Sequence, residues 1–336
     1  MSDLYLPSGY LDAKKIIDLP QPFVFCVGGR GTGKTFGALK ACHENYRGHF
    51  QFLRRTQTEL DNISNNINNP FKALNLAFGW DVTIKGAKNY AVIMEGDETI
   101  GKMFALSTVA NIRGFDASET DLIIYDEFIP EAHKAAIKNE HTAFLNFYET
   151  VNRNRELQGK PPVKIRCFSN SNDILNPLIV GLELVSAFDK MRKKGNEIYI
   201  DNKRGMALID LQNSPISKQK EKTALYRFSG TGDFYNMAIS NKFNSPLSVP
   251  VSRPLKEYFP LFVVGEICIY KHKSNGRFYV TQKISGTPKK YSLKEADLRY
   301  MRLSYDYLIL RYFADLIDFE ETLCEVLFLK YFSVKI

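Results

Sequence analysis

The sequence predicts an α/β chain, a parallel-sheet core followed by a small α+β C-terminal unit, and three observations predict it. First, the apolar segment Phe23-Val24-Phe25-Cys26-Val27, a Gly-rich loop and Phe36-Gly37-Ala38-Leu39-Lys40-Ala41-Cys42 follow one another as strand, loop and helix. Second, Leu122-Ile123-Ile124-Tyr125 runs into the acidic pair Asp126-Glu127, as a strand buried on both faces does where it emerges. Third, after about residue 190 this texture gives way to short strand-like pieces, polar connectors and a basic, aromatic stretch. The expected divisions are 1–194 for the core, 195–250 for a linker or lid and 251–336 for the C-terminal unit.

The loop is Gly28-Gly29-Arg30-Gly31-Thr32-Gly33-Lys34-Thr35, which fits G-x-x-x-x-G-K-[ST]. Between a strand and a helix it points backbone N–H groups and a helix N-terminus at a polyphosphate. Lys34 is expected on the β- and γ-phosphates, and the Thr35 hydroxyl on Mg²⁺. The acidic pair falls where ligands bind in open α/β sheets, beyond the carboxyl ends of the strands. Asp126 is then expected to hold the metal shell and Glu127 to activate the attacking water. ATP is the expected nucleotide: Asn202-Lys203 and Asn241-Lys242 are not followed by the Asp of a guanine-reading N-K-x-D.

Roughly ninety residues separate the two motifs, more than one βα unit needs. Phe50-Gln51-Phe52-Leu53, Tyr90-Ala91-Val92-Ile93-Met94 and Met103-Phe104-Ala105-Leu106 read as strands. An extra strand between the loop strand and the acidic strand is typical of the additional-strand, catalytic-glutamate P-loop NTPases. Beyond Glu127, Phe144, Leu145, Phe147, Tyr148 and Val151 recur at helical spacing, followed by Arg153 and Arg155. Either arginine is a candidate finger for a neighbouring subunit's site, and either also suits the dipole at a helix C-terminus. Val163-Lys164-Ile165-Arg166-Cys167-Phe168 reads as the next strand and ends in Ser169-Asn170-Ser171-Asn172. Asn170 is the candidate γ-phosphate sensor, with an Asx-type turn capping the helix after Pro177 as the alternative.

The chain has 336 residues, 44% hydrophobic and 13% aromatic, enough for two globular units. No apolar run approaches the ~18 residues of a membrane span, and the N-terminus lacks the pattern of a signal peptide. Five scattered cysteines, with no C-x-x-C, suggest a reduced compartment and no zinc. The net charge of +8 points to an anionic partner. Between Lys271 and Arg302 nine lysines and arginines stand against Glu295 and Asp297, interleaved with Phe278, Tyr279 and Tyr291. A second basic run is Lys190, Arg192, Lys193 and Lys194. Such a distribution suits a nucleic-acid backbone.

In the C-terminal unit Leu261 to Tyr270 reads as one long strand, and Ser274-Asn275-Gly276 as a hairpin turn, Asn-Gly suiting type I′. The remainder, through Leu308-Ile309-Leu310 and Leu323 to Phe332, reads helical.

These residues resemble the DNA-packaging ATPases of small tailed bacteriophages, the phi29-like encapsidation proteins. The resemblance spans most of the chain: the early P-loop, Asp126-Glu127, Arg54-Arg55 after the second strand, Arg113-Gly114 before the acidic strand, and a small basic C-terminal unit. It implies a homo-oligomeric ring, thought to be pentameric, at the portal vertex of an empty capsid in the host cytoplasm, driving double-stranded DNA inward. A structural RNA is a further partner it allows. It also implies that the C-terminal unit resembles an RNase H-like nuclease without its catalytic carboxylates. The sequence agrees: Glu266 stands alone in the first hairpin, while Asp315, Asp318, Glu320 and Glu321 fall on a stretch that reads helical and solvated. Where that family carries a DNA-gripping lysine, this chain has Thr56-Gln57. Arg54 or Arg55 is expected to hold Glu127 inactive until DNA engages. The rival readings are a P-loop helicase or terminase with a working nuclease, and a nucleic-acid-binding scaffold that binds ATP without turnover.

Overall fold

Gly28, Asp126 and Asn170 stand at the ends of strands whose interiors are largely apolar. The computed structural model describes residues 4–334 apart from 65–67, 113–116, 132–133, 135–136, 171–175, 212 and 230–246. The chain divides into two compact units, Met1–Leu182 with Lys190–Asn244, and Glu183–Asp189 with Ser245–Ile336.

Among the described residues, the first unit is built on a nine-stranded sheet in the order β3-β4-β5-β2-β6-β7-β1-β9-β8. Its strands are β1 (Phe23–Gly28), β2 (Phe50–Arg54), β3 (Val82–Gly86), β4 (Ala91–Glu95), β5 (Glu98–Ala105), β6 (Leu122–Asp126), β7 (Lys164–Asn170), β8 (Ile198–Asp201) and β9 (Met206–Asp210). From β5 through β9, in sheet order, neighbours run parallel. The β3–β4 hairpin and β8 extend the two edges antiparallel. The inserted strand that separates β1 from β6 is β7, which comes later in the chain than both.

The parallel strands are buried on both faces, as their helical covering requires. Successive side chains of a strand alternate between faces. Val24 and Cys26 of β1 pack with Ile16 and Ile17 of α1 (Ala13–Asp18) and with Ala38, Leu39 and Cys42 of α2 (Lys34–Asn45). Phe25 meets Phe128 and Phe144 instead, and Tyr125 stacks on Phe144. Phe144 and Phe147 are the buried face of α5 (Glu140–Asn152), each contributing about 2 kcal/mol. Arg166, fully buried on β7, donates to the carbonyls of Ile17, Leu19, Gln21 and Pro22, tying the entry of β1 to the sheet. Burial pushes this guanidinium down to about 10.

Residues 195–210, expected within a linker, are instead part of this sheet. β9 pairs in parallel with β1, Phe23 opposite Met206 through Val27 opposite Asp210. The remaining labelled helices are α3 (Gln57–Ser64), α4 (Lys72–Phe78), α6 (Pro177–Gly181), α7 (Val185–Lys194), α8 (Pro215–Lys220) and α9 (Ala224–Ser229). Arg192 of the second basic run is drawn to Asp210 at 2.6 Å, while Lys190, Lys193 and Lys194 are exposed. The five cysteines are buried free thiols. No helix among the described residues is long and apolar enough to cross a membrane.

The second unit carries a five-stranded sheet, β13-β10-β11-β12-β14, among its described residues. Its strands are β10 (Tyr258–Val264), β11 (Ile267–His272), β12 (Phe278–Thr281), β13 (Lys289–Tyr291) and β14 (Ile317–Phe319). The stretch expected as one long strand is broken at Gly265, whose φ of +52° turns the chain, so Glu266 sits exposed in that turn. The Asn275-Gly276 turn is not type I′, which needs positive φ at both central residues, because Asn275 does not have it. The His272 imidazole accepts the N–H groups of Ser274 and Asn275, and the Asn275 side chain accepts from Arg277 N–H, holding a longer loop. The region expected to be helical and solvated around Asp318 contains β14 instead. Asp318 is mostly buried between Arg253 at 2.9 Å and Arg277 at 2.7 Å. The helices Tyr307–Phe313 and Thr322–Phe332 stand as expected.

Candidate nucleotide-binding site

Register brings the chemistry together. Gly28 lies opposite Asn170, and Asp126 opposite Phe168, so the ends of β1, β6 and β7 share one edge of the sheet. β2 delivers Arg54 beside them. There the loop and α2 enclose a cleft of about 360 Å³, lined by residues 30–36 of the loop, Asp126, Glu127, Glu131, Ser169 and Asn170. The loop's first glycine is required by a close approach: a Cβ on Gly28 would stand 2.7 Å from Leu211.

Lys34 is 7% exposed. Its ammonium donates to the carbonyls of Gly28 (3.2 Å) and Gly29 (2.7 Å), to Thr32 Oγ1 (3.2 Å) and to Asn170 Oδ1 (3.2 Å). Burial, above all, holds it down to about 8. A buried cation whose hydrogen-bond partners among the described residues are neutral acceptors is an anion-seeking group. Thr35 Oγ1 lies 3.0 and 3.1 Å from the two oxygens of Asp126, and burial lifts that carboxyl above its ordinary range. A hydroxyl and a carboxylate sharing one point beside a phosphate loop is the hard oxygen donor set that suits Mg²⁺.

Asn170 does not cap the helix after Pro177; Asn176 does, accepting from Leu178 N–H at 2.9 Å and Ile179 N–H at 3.3 Å. That leaves the Asn170 carboxamide on Lys34, at the cleft wall. Glu127, at φ +55°, occupies a conformation costly for a residue with a Cβ, the kind of strain that clusters at functional positions. Arg54 spans Asp126 at 2.9 Å and Glu127 at 2.6 Å. Lys134 lies 3.6 Å from the same Glu127 oxygen and 2.8 Å from Glu59. Arg55 faces away and pairs with Glu140 in the interior at 2.8 Å.

The two candidate finger arginines part company. Arg155 is tied within its own chain, to the Thr120 carbonyl, to Asp121 at 2.7 Å and to the Pro161 carbonyl at 3.2 Å. Arg153 is exposed at the end of α5, at φ +46°, with its Nε 3.3 Å from the Thr150 carbonyl. Arg113, Gly114, Ser171 and Asn172 lie outside the described residues. Sequence spacing missed Glu131, which pairs with Arg30 across the cleft mouth, and Lys220, which donates to the Arg30 carbonyl at 2.6 Å. Glu131 stands four residues after Glu127 but about a hundred from the loop it meets, and Lys220 is 190 positions from Arg30, so spacing within either motif does not reveal the contacts.

The sequence matches the family described as podovirus DNA encapsidation protein (Gp16) over residues 4–307. The DNA packaging protein of Bacillus phage PZA is 27% identical over 300 residues, 86% of this chain and 84% of that protein. The DNA packaging protein of Bacillus phage phi29 is 26% identical over the same shares. Among solved structures, a chain of the bacteriophage Phi-29 viral genome packaging motor assembly superposes with a TM-score of 0.67 at 18% identity, covering 96% of this chain and 98% of that one. A chain of the Phi-28 gp11 DNA packaging motor gives 0.60 at 20% identity, covering 97% and 99%. Those identities show a shared fold, and the match along nearly the whole length shows more: the chain belongs to the podovirus DNA encapsidation protein (Gp16) family.

Proposed function

We propose that this chain is an ATP-hydrolysing motor that moves double-stranded DNA into an empty capsid. The observation that carries it is the convergence of Lys34, Thr35, Asp126, Glu127 and Asn170 on one cleft at the carboxyl edge of a parallel sheet. In it the loop N–H groups and Lys34 bind the phosphates, and Thr35 with Asp126 would hold Mg²⁺, which supplies charge neutralisation at the transferring phosphoryl group. Glu127 orients and deprotonates the attacking water. Arg54 restrains Glu127 until DNA engages, and Asn170 senses the γ-phosphate through its contact with Lys34. Arg153 completes the site of a neighbouring subunit in a pentameric homo-oligomeric ring at the capsid portal, with a structural RNA as a further partner and the host cytoplasm as the setting.

Exposed cations of the second unit, among them Lys271, Lys290, Lys294 and Arg299, suit sequence-independent contact with DNA phosphates. That unit is read as a nuclease-like domain that does not cut. Asp318 is held by two arginines, and Glu320 accepts from Thr281 and lies 2.5 Å from Lys283, which supports the reading. With empty capsids and ATP, the chain should render DNA resistant to added nuclease, and Glu127→Gln should not. Plasmid incubated with Mn²⁺ should stay intact; cutting would favour a terminase with a working nuclease.

A further inference from the structure

The phosphate loop is gripped from its outer side by two elements that lie outside the motif. The N-terminal segment is one: Leu11 N–H donates to the Thr32 carbonyl at 2.9 Å. The other is Lys220, the last residue of α8, whose ammonium donates to the Arg30 carbonyl at 2.6 Å. α8 itself is seated by buried Ile216, whose N–H donates to Gly9 O at 3.3 Å. Lys220 comes so near the loop that a Cβ on Gly31 would lie 2.2 Å from its nitrogen. Gly31, at φ +62°, is glycine for its backbone conformation, although the motif leaves its position open.

A trans peptide is planar, with its carbonyl and its N–H pointing opposite ways. A carbonyl fixed outward fixes the following N–H inward. A cation on the carbonyl also polarises that N–H and strengthens it as a donor. We propose that Lys220 is a nucleotide-positioning residue: by holding the Arg30 carbonyl it aims the Gly31 N–H into the cleft, toward the β-phosphate of a nucleoside di- or triphosphate, and adds its own positive potential there. The inference rests on the nucleotide reading of the cleft. The contact is to a phosphate that both substrate and transition state carry, so its loss weakens binding uniformly and leaves the chemical step alone.

The test uses the full chain and compares Lys220→Met and Lys220→Arg with the parent. MgADP affinity is measured by calorimetric titration, and KM and kcat for ATP at steady state. Lys220→Met is expected to weaken MgADP about tenfold, as loss of one charge-assisted contact does, and to raise KM by a similar factor. In that variant kcat should stay within about twofold of the parent, while Lys220→Arg restores both constants. The unfolding midpoint of the nucleotide-free chain should be the same in all three. MgADP affinity of Lys220→Met within about twofold of the parent would overturn the inference alone. So would equal losses in both variants with a lowered unfolding midpoint, which mark a structural role. A parent chain that binds no MgADP would overturn the nucleotide reading and this inference with it.

Discussion

The Arg54 guanidinium bridges both acids of the cleft, 2.9 Å from an Asp126 oxygen and 2.6 Å from a Glu127 oxygen. A carboxylate so engaged must give up its contact with the guanidinium before it can take a proton from water. Arg54→Ala should therefore raise ATP turnover without DNA about tenfold, and bring the ratio of DNA-stimulated to basal turnover toward one. A phosphate-release assay with and without duplex DNA reads both. An unchanged ratio would remove Arg54 from the switch.

Arg55, one residue on, makes a different pair. Its side chain and that of Glu140 are 1% and 0% exposed. Removing one partner strands a buried charge, so Glu140→Ala should cost about 3–5 kcal/mol of stability in urea unfolding. Arg55→Ala should cost about as much, and the double variant less than the sum. Basal turnover per folded subunit should change little.

Arg153→Ala and Arg155→Ala should separate cleanly. Arg155 anchors the start of β6 through Asp121 and the Thr120 carbonyl, so its loss should lower the unfolding midpoint. Arg153→Ala should keep that midpoint and single-chain MgADP affinity, yet lower turnover in assembled rings about a thousandfold. Equal behaviour of the two variants would dismiss Arg153 as the trans group.

Thr35 and Asp126 share the expected Mg²⁺ position. Thr35→Val keeps the shape and removes the oxygen. The advantage of MgADP over metal-free ADP, measured by titration with and without EDTA, should largely vanish in this variant. An undiminished Mg²⁺ dependence would move the metal elsewhere.

The convergence of the loop and the acidic strand on one cleft was legible because its signals are local. The loop's glycines, the Lys34-Thr35 pair and the apolar run into Asp126 each lie within one element, and helical spacing announced Phe144 and Phe147. Pairing across long separations was not legible. β9 meets β1 after some 180 residues of intervening chain, and the short strands around Gly205 carry no mark of the partner they will find. The choice between Arg54 and Arg55 was likewise closed to spacing alone. Adjacent residues at a strand end face opposite ways, and only the packed sheet says that Arg54 faces the acids while Arg55 faces Glu140. Asn170 was legible as a strand-tip residue, but not that Asn176 would take the helix cap while the Asn170 carboxamide meets Lys34. Lys220 reaches the loop from 190 positions away, which no motif encodes.

If hydrolysis in this motor answers to DNA, the experiment that decides it is turnover of ATP with and without long double-stranded DNA, with Glu127→Gln alongside. Turnover should rise with DNA and fall by about two to four orders of magnitude in Glu127→Gln, which should still bind MgATP. Turnover that persists in Glu127→Gln would contradict the assignment of the base, and turnover indifferent to DNA would contradict the coupling.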